Sequence, residues 1–108
     1  MCRKLEFTNP VTWTFEPASA EVAGSLGEQT LVYHCVDDIA AQPGVDAASF
    51  RAAERRFAAR ADLVLASAPA LAARMRELND NVLYAPNVAD TAAFATALQP
   101  GPVDLALD

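Results

Sequence analysis

The sequence predicts an α/β domain: a partial Rossmann-like fold with about four parallel strands, flanking helices and a tendency to three layers. Three observations predict it. Residues 31–36, L-V-Y-H-C-V, form a run rich in strand-forming residues that stops at Asp37 and Asp38. Such a run, without polar alternation, reads as a strand covered on both faces, which is the habit of parallel sheets. Strand-like and helix-like segments then alternate along the chain, as right-handed crossovers require. Finally, 53% hydrophobic and 20% charged residues in a chain of 108 suit one packed domain rather than a disordered segment.

The elements follow in order. Residues 11–15, V-T-W-T-F, are β-branched and aromatic and predict a first strand, ended by Glu16 and Pro17. The stretch S-A-E-V-A-G-S-L-G predicts a short helix, with Pro17 in its first turn or Ser19 as its cap, terminated at Gly27. After strand 31–36, Pro43-Gly44 marks a turn and Asp46 is the N-cap of the longest helix, residues 47 to about 60. Phe50, Ala53, Phe57 and Ala61 give that helix one apolar face, while Arg51, Glu54, Arg55 and Arg56 fall mostly elsewhere around it. Asp62 introduces a short buried strand, L-V-L-A. Ser67 and Pro69 open the next helix, with Leu71, Met75 and Leu78 inward. Asn79, Asp80 and Asn81 make a turn into a fourth strand, residues 82–84, which stops at Pro86-Asn87. A last helical segment spans residues 91–98, before a boundary at Pro100-Gly101-Pro102.

Several function classes are set aside by composition and motif. The net charge is −6, and no basic stripe suits a phosphate backbone, so no nucleic-acid partner is expected. No apolar run approaches the roughly 20 residues of a membrane span, and the first residues, M-C-R-K-L-E-F, lack the apolar core of a signal peptide. The expectation is a cytoplasmic protein with Cys2 and Cys35 as free thiols. His34 lacks a second ligand at metal spacing, so no metal site is expected. Neither G-x-G-x-x-G nor G-x-x-x-x-G-K-[ST] occurs.

Parallel sheets place their ligands outside the carboxyl ends of the strands. Asp37 and Asp38 stand there and are the leading catalytic candidates, able to orient a substrate hydroxyl, act as base or hold a cation. Glu16, Ser67 and Asn87 follow the other three strands and are cleft candidates. Each has an ordinary alternative: loop capping for one aspartate, a surface carboxylate for Glu16, a helix cap for Ser67 and a turn for Asn87. Without a G-x-S-x-G elbow, Ser67 is not read as a nucleophile. His34 reads as a buried, hydrogen-bonded residue of the sheet.

Residues 54–71, E-R-R-F-A-A-R-A-D-L-V-L-A-S-A-P-A-L, resemble the late part of the N-terminal domain of family 4 glycosyltransferases, which have the GT-B architecture. Residues 84–94, Y-A-P-N-V-A-D-T-A-A-F, resemble the P-N-G-V-D-x-x-x-F signature of that family, with Val88 where the signature has Gly. The segments W-T-F-E-P and V-Y-H-C-V-D-D fit strand ends of the same domain, and the resemblance covers residues 11–98. Many members carry a histidine where this chain has Val36 or Asp37.

The resemblance implies a retaining, metal-independent transfer of a sugar from a nucleotide-sugar donor to a sugar or lipid-linked acceptor, as in polysaccharide biosynthesis. It implies that residues 1–108 are one partial domain, the second half of the acceptor-binding domain, with 99–108 starting the linker to a donor domain. No further cofactor is implied. The donor motif E-x-x-x-x-x-x-x-E is absent, so the chain alone is expected to be inactive. An unpaired sheet edge is expected to promote homodimerisation. The alternative is a stand-alone flavodoxin- or receiver-like binding module with an acidic cation site at Asp37 and Asp38. Receiver chemistry also needs a lysine at a strand end, and Lys4 is the chain's one lysine.

Overall fold

A computed structural model of the chain describes residues 5–101; Cys2, Lys4 and most of the expected linker lie outside them. Four strands, β1 (Val11–Thr14), β2 (Thr30–Cys35), β3 (Leu63–Ala66) and β4 (Val82–Tyr84), form one sheet in the order β1-β2-β3-β4. Every pairing is parallel, with Trp13 opposite Val32, His34 opposite Leu65 and Leu65 opposite Leu83. The expected α/β arrangement is present, consistent with a partial Rossmann-like fold. Three α-helices accompany the sheet: α1 (Ala47–Arg60), α2 (Pro69–Arg76) and α3 (Thr91–Ala95).

Strand order decides where the helices go. In an unbroken 1-2-3-4 sequence every crossover steps the same way, and right-handed crossovers then lay their helices on one face. The core follows that rule. Leu31, Tyr33 and Cys35 of β2, with Val64 and Ala66 of β3, pack with Phe57 and Ala58 of α1 and Leu71, Ala72 and Met75 of α2. The Tyr33 and Phe57 rings meet edge to face at 5.4 Å. Of the three layers expected, the described residues therefore form two. The alternate residues of the strands face away from the helices, and at the sheet margins Trp13 is 56% exposed and Leu83 55%.

Local chemistry sets the boundaries. The carboxylate of Asp46 accepts from the Ser49 backbone N–H at 3.2 Å and starts α1 where the sequence predicts. Asn79 closes the other end of α1: its Nδ2 donates to Ala58 O and Ala61 O, both at 2.7 Å, and its Oδ1 accepts from Asn81 N. Asp62 ties β3 to β2, its Oδ2 accepting from Leu31 N at 2.7 Å while its own N–H donates to Leu31 O. Losing the Asn79 clamp leaves two helix-end carbonyls without that donor. Asn79→Ala is expected to cost about 2 kcal/mol, read as a lower urea midpoint with an unchanged slope.

Three sequence expectations change in detail. The segment after β1 is a 3-10 turn, Pro17–Glu21, capped by Glu16 rather than Ser19, because the Glu16 carboxylate accepts from Ala18 N at 3.1 Å. The turn ends before the expected stop at Gly27; Gly24, at φ +89°, takes a left-handed conformation that glycine adopts without strain. Ser67 does not cap α2. It donates instead to Val36 O at 2.9 Å, stitching the end of β3 to the end of β2. Beyond β4 the chain stands away from the core: α3 and the 3-10 turn Thr96–Leu98 that continues it bury no residue. The Cα radius of gyration is 18.7 Å, against about 13 Å for a compact chain of this length.

Candidate functional site at the carboxyl edge of the sheet

With all four strands parallel, the residues that follow them gather along one edge of the sheet. Glu16 comes after β1, Asp37 and Asp38 after β2, Ser67 after β3 and Asn87 after β4. What each does there differs. Asp37 is occupied by its own loop: Oδ1 accepts from Asp38 N at 2.8 Å and Oδ2 from Gln42 Nε2 at 3.0 Å. Asp38 is paired with Arg51 at 3.3 Å and with Arg74 at 3.1 Å. Glu16 and Ser67 make the backbone bonds already described, and Asn87 is exposed. The two aspartates are thus split between different partners and do not present a bare acidic pair to a cation.

Arg74 links this edge to the interior. Its Nη1 holds Asp38, and its Nη2 lies 3.2 Å from both carboxylate oxygens of Glu54. Glu54 is 3% exposed and also accepts from the Tyr33 hydroxyl at 2.9 Å. This is the principal residue the sequence reading misplaced. Glu54 follows Phe50 by four residues and precedes Phe57 by three, so it lies on the apolar face of α1 and not elsewhere around the helix. Its burial is possible because a guanidinium and a phenol satisfy the carboxylate.

The surroundings tune the neighbouring groups in one direction. Burial, then the charges at Cys35 and Glu54, raises the Tyr33 phenol far above its ordinary value. Burial and Glu54 also raise the Cys35 thiol. Burial works against the charge on Arg74, but Glu54 and Asp38 more than offset it and raise its pKa. Cys35 is therefore kept as a thiol and is a poor nucleophile. Because its folded pKa lies above the ordinary value of 9.0, the unfolded chain releases that proton first as pH rises. Stability is expected to be fully present below about pH 9 and to fall above it, and Cys35→Ala should flatten the fall in urea melts between neutral and alkaline pH.

Clefts accompany the helices among the described residues. One, of about 350 Å³, lies between the end of α1 and the β4 approach and is lined by Arg76, Asn79, Asp80 and Asn81. Another, of about 200 Å³, lies between α1 and α2 and is lined by Arg51, Glu54, Arg55 and Arg74. The five sequence candidates line neither; Asp38 reaches the second only through its two arginines. No group of three or more His, Cys, Asp or Glu side chains is placed to hold a metal ion among the described residues. His34 lies on the helix-free face, its ring stacked on Phe15 at 4.8 Å, with Nδ1 buried and without a hydrogen-bond partner.

No family model, curated protein or solved structure matches the chain. The functional reading therefore rests on the sheet edge and on the ordered segments that surround it. Among the described residues no helix is long and apolar enough to cross a membrane.

Proposed function

We propose that this chain is the acceptor-side part of a retaining glycosyltransferase of the family 4 type, inactive until joined by a donor-binding domain. The observation that carries the reading is the alignment of Glu16, Asp37, Asp38, Ser67 and Asn87 along the carboxyl edge of four adjacent parallel strands. In this reading Asp37 or Asp38 orients an acceptor hydroxyl, and Glu16 supports it. Ser67 and Asn87 shape the loops on either side. Asp37 is exposed, and its partners are a backbone N–H and one amide, so an acceptor hydroxyl can displace the amide. Asp38, held by two arginines, supplies a fixed negative charge beside it. Pairing of exposed sheet edges between two chains belongs to the same proposal, β1 and β4 being the terminal strands of the sheet.

The test is the native form of the polypeptide. An antibody against residues 46–94 should detect a species well above 11.4 kDa in the source cells. In that longer enzyme Asp37→Ala and Asp38→Ala should each lower sugar transfer, by about a hundredfold for the residue that meets the hydroxyl. A native species of 11.4 kDa, or unchanged turnover in both variants, would overturn the assignment.

A further inference from the structure

Three guanidinium groups converge on the cleft of about 200 Å³ between α1 and α2, and the acids around them do not use all their donors. Arg51 and Arg55 are four residues apart and share one side of α1, and Arg74 of α2 lines the same cleft. A guanidinium carries five N–H donors. Arg51 gives one of them to Asp38 at 3.3 Å, longer than the roughly 2.7–2.9 Å of a strong charge-assisted bond. Arg55 is exposed and enters no ion pair among the described residues. Arg74 gives Nη1 to Asp38 and Nη2 to Glu54, yet its Nε is buried and has no acceptor. A buried donor without an acceptor is costly, and an oxyanion brought beside it recovers that cost. We infer that this cleft is a binding site for a phosphomonoester, with the phosphate held by Arg51, Arg55 and Arg74.

The class of ligand follows from the donors. A carboxylate has two coplanar oxygens and is satisfied by a single guanidinium fork. A phosphate ester presents three terminal oxygens in a tetrahedral arrangement and takes guanidinium forks from more than one direction. Size agrees with this choice. Water occupies about 30 Å³ per molecule in the liquid, so a cleft of about 200 Å³ holds a phosphate and the first atoms of its ester group. The acids at the cleft have separate places. Glu54 is shared by Arg74 and Tyr33 inside the core, Glu77 is exposed, and Asp38 reaches the cleft through Arg51 and Arg74. These three carboxylates balance the three arginines in formal charge, so affinity is modest and Asp38 is the built-in competitor for the anion. Glu54 and Asp38 also hold the Arg74 side chain in place, which lowers the entropy lost on binding. The inference concerns the cleft alone, and it stands or falls independently of the sugar-transfer reading.

The Arg74 Nε–H reports binding directly, since its burial slows exchange with water and keeps its NMR signal visible. Titration of the full chain with glycerol phosphate, at a constant ionic strength of about 0.1 M, should shift that signal and saturate with a Kd on the order of 1 mM. Arg55→Gln breaks no ion pair among the described residues, so it should leave Tm unchanged while weakening binding about tenfold. Asp38→Asn removes the competing carboxylate and should tighten binding by roughly tenfold. Opposite changes in these two variants separate a ligand site from general screening of charge. Shifts that rise without saturating, or that sodium chloride reproduces, would overturn the site. So would binding that Arg55→Gln leaves unchanged. Saturation by inorganic phosphate with glycerol phosphate shut out would overturn the ester as its ligand.

Discussion

Replacing Glu54 by alanine is expected to destabilise the fold by about 3–5 kcal/mol, because it strands a partly buried guanidinium and removes the acceptor of a buried phenol. Arg74 would keep only Asp38, whose side chain is 39% exposed and whose pairing is correspondingly screened. A small domain has about 5–15 kcal/mol in total, so this single change takes a large share. At about 4–8 °C per kcal/mol, calorimetry should find Tm lower by roughly 12 °C or more. The double change Glu54→Leu, Arg74→Met separates pairing from packing. Removing both charges together should cost much less than removing Glu54 alone, since no ion is then left unpaired. A double variant as unstable as Glu54→Ala would mean that the site depends on shape and not on the ion pair.

The second large effect is in the core beneath it. Phe57 is fully buried, with its ring edge to face with Tyr33, so Phe57→Ala should cost about 3–5 kcal/mol through lost transfer energy and the cavity left behind. Trp13→Ala is the instructive contrast. Trp13 is a larger side chain but more than half exposed on the helix-free face. Measured on dilute monomer, its removal should cost less than about 1 kcal/mol. Equal losses in the two variants would mean that the face is covered within a single chain. The pair of urea melts therefore tests the two-layer arrangement without any assumption about function.

Much of the architecture was legible in the chain itself. Asp46 opens α1 because a short carboxylate can reach the free N–H groups of a first turn, and that needs only neighbouring residues. The β-branched and apolar runs at 11–14, 30–35, 63–66 and 82–84 specify strands for equally local reasons. The alternation of strand and helix then makes parallel pairing the natural solution, and parallel pairing carries the residues after each strand to one edge. Glu16, Asp37, Asp38, Ser67 and Asn87 could be grouped from sequence on that ground alone.

What those residues do at the edge was not legible, because their partners are distant. Ser67 bonds a carbonyl 31 residues away instead of capping the helix that follows it. Asp38 meets Arg51 and Arg74 from two different helices. Glu54 carried a signal in its spacing from Phe50 and Phe57, yet a carboxylate enters a core only if a cation follows it, and Arg74 lies 20 residues on. The sequence alone determined the elements, their parallel order and the edge at which polar residues collect. Only the tertiary structure decided that the packed helices share one face, that Glu54 turns inward, and that the margins of the opposite sheet face and the arm after β4 stay exposed. The reason is physical: local hydrogen bonding and side-chain shape settle an element within a few residues, whereas layering and ion pairing depend on which distant segments the crossovers bring together.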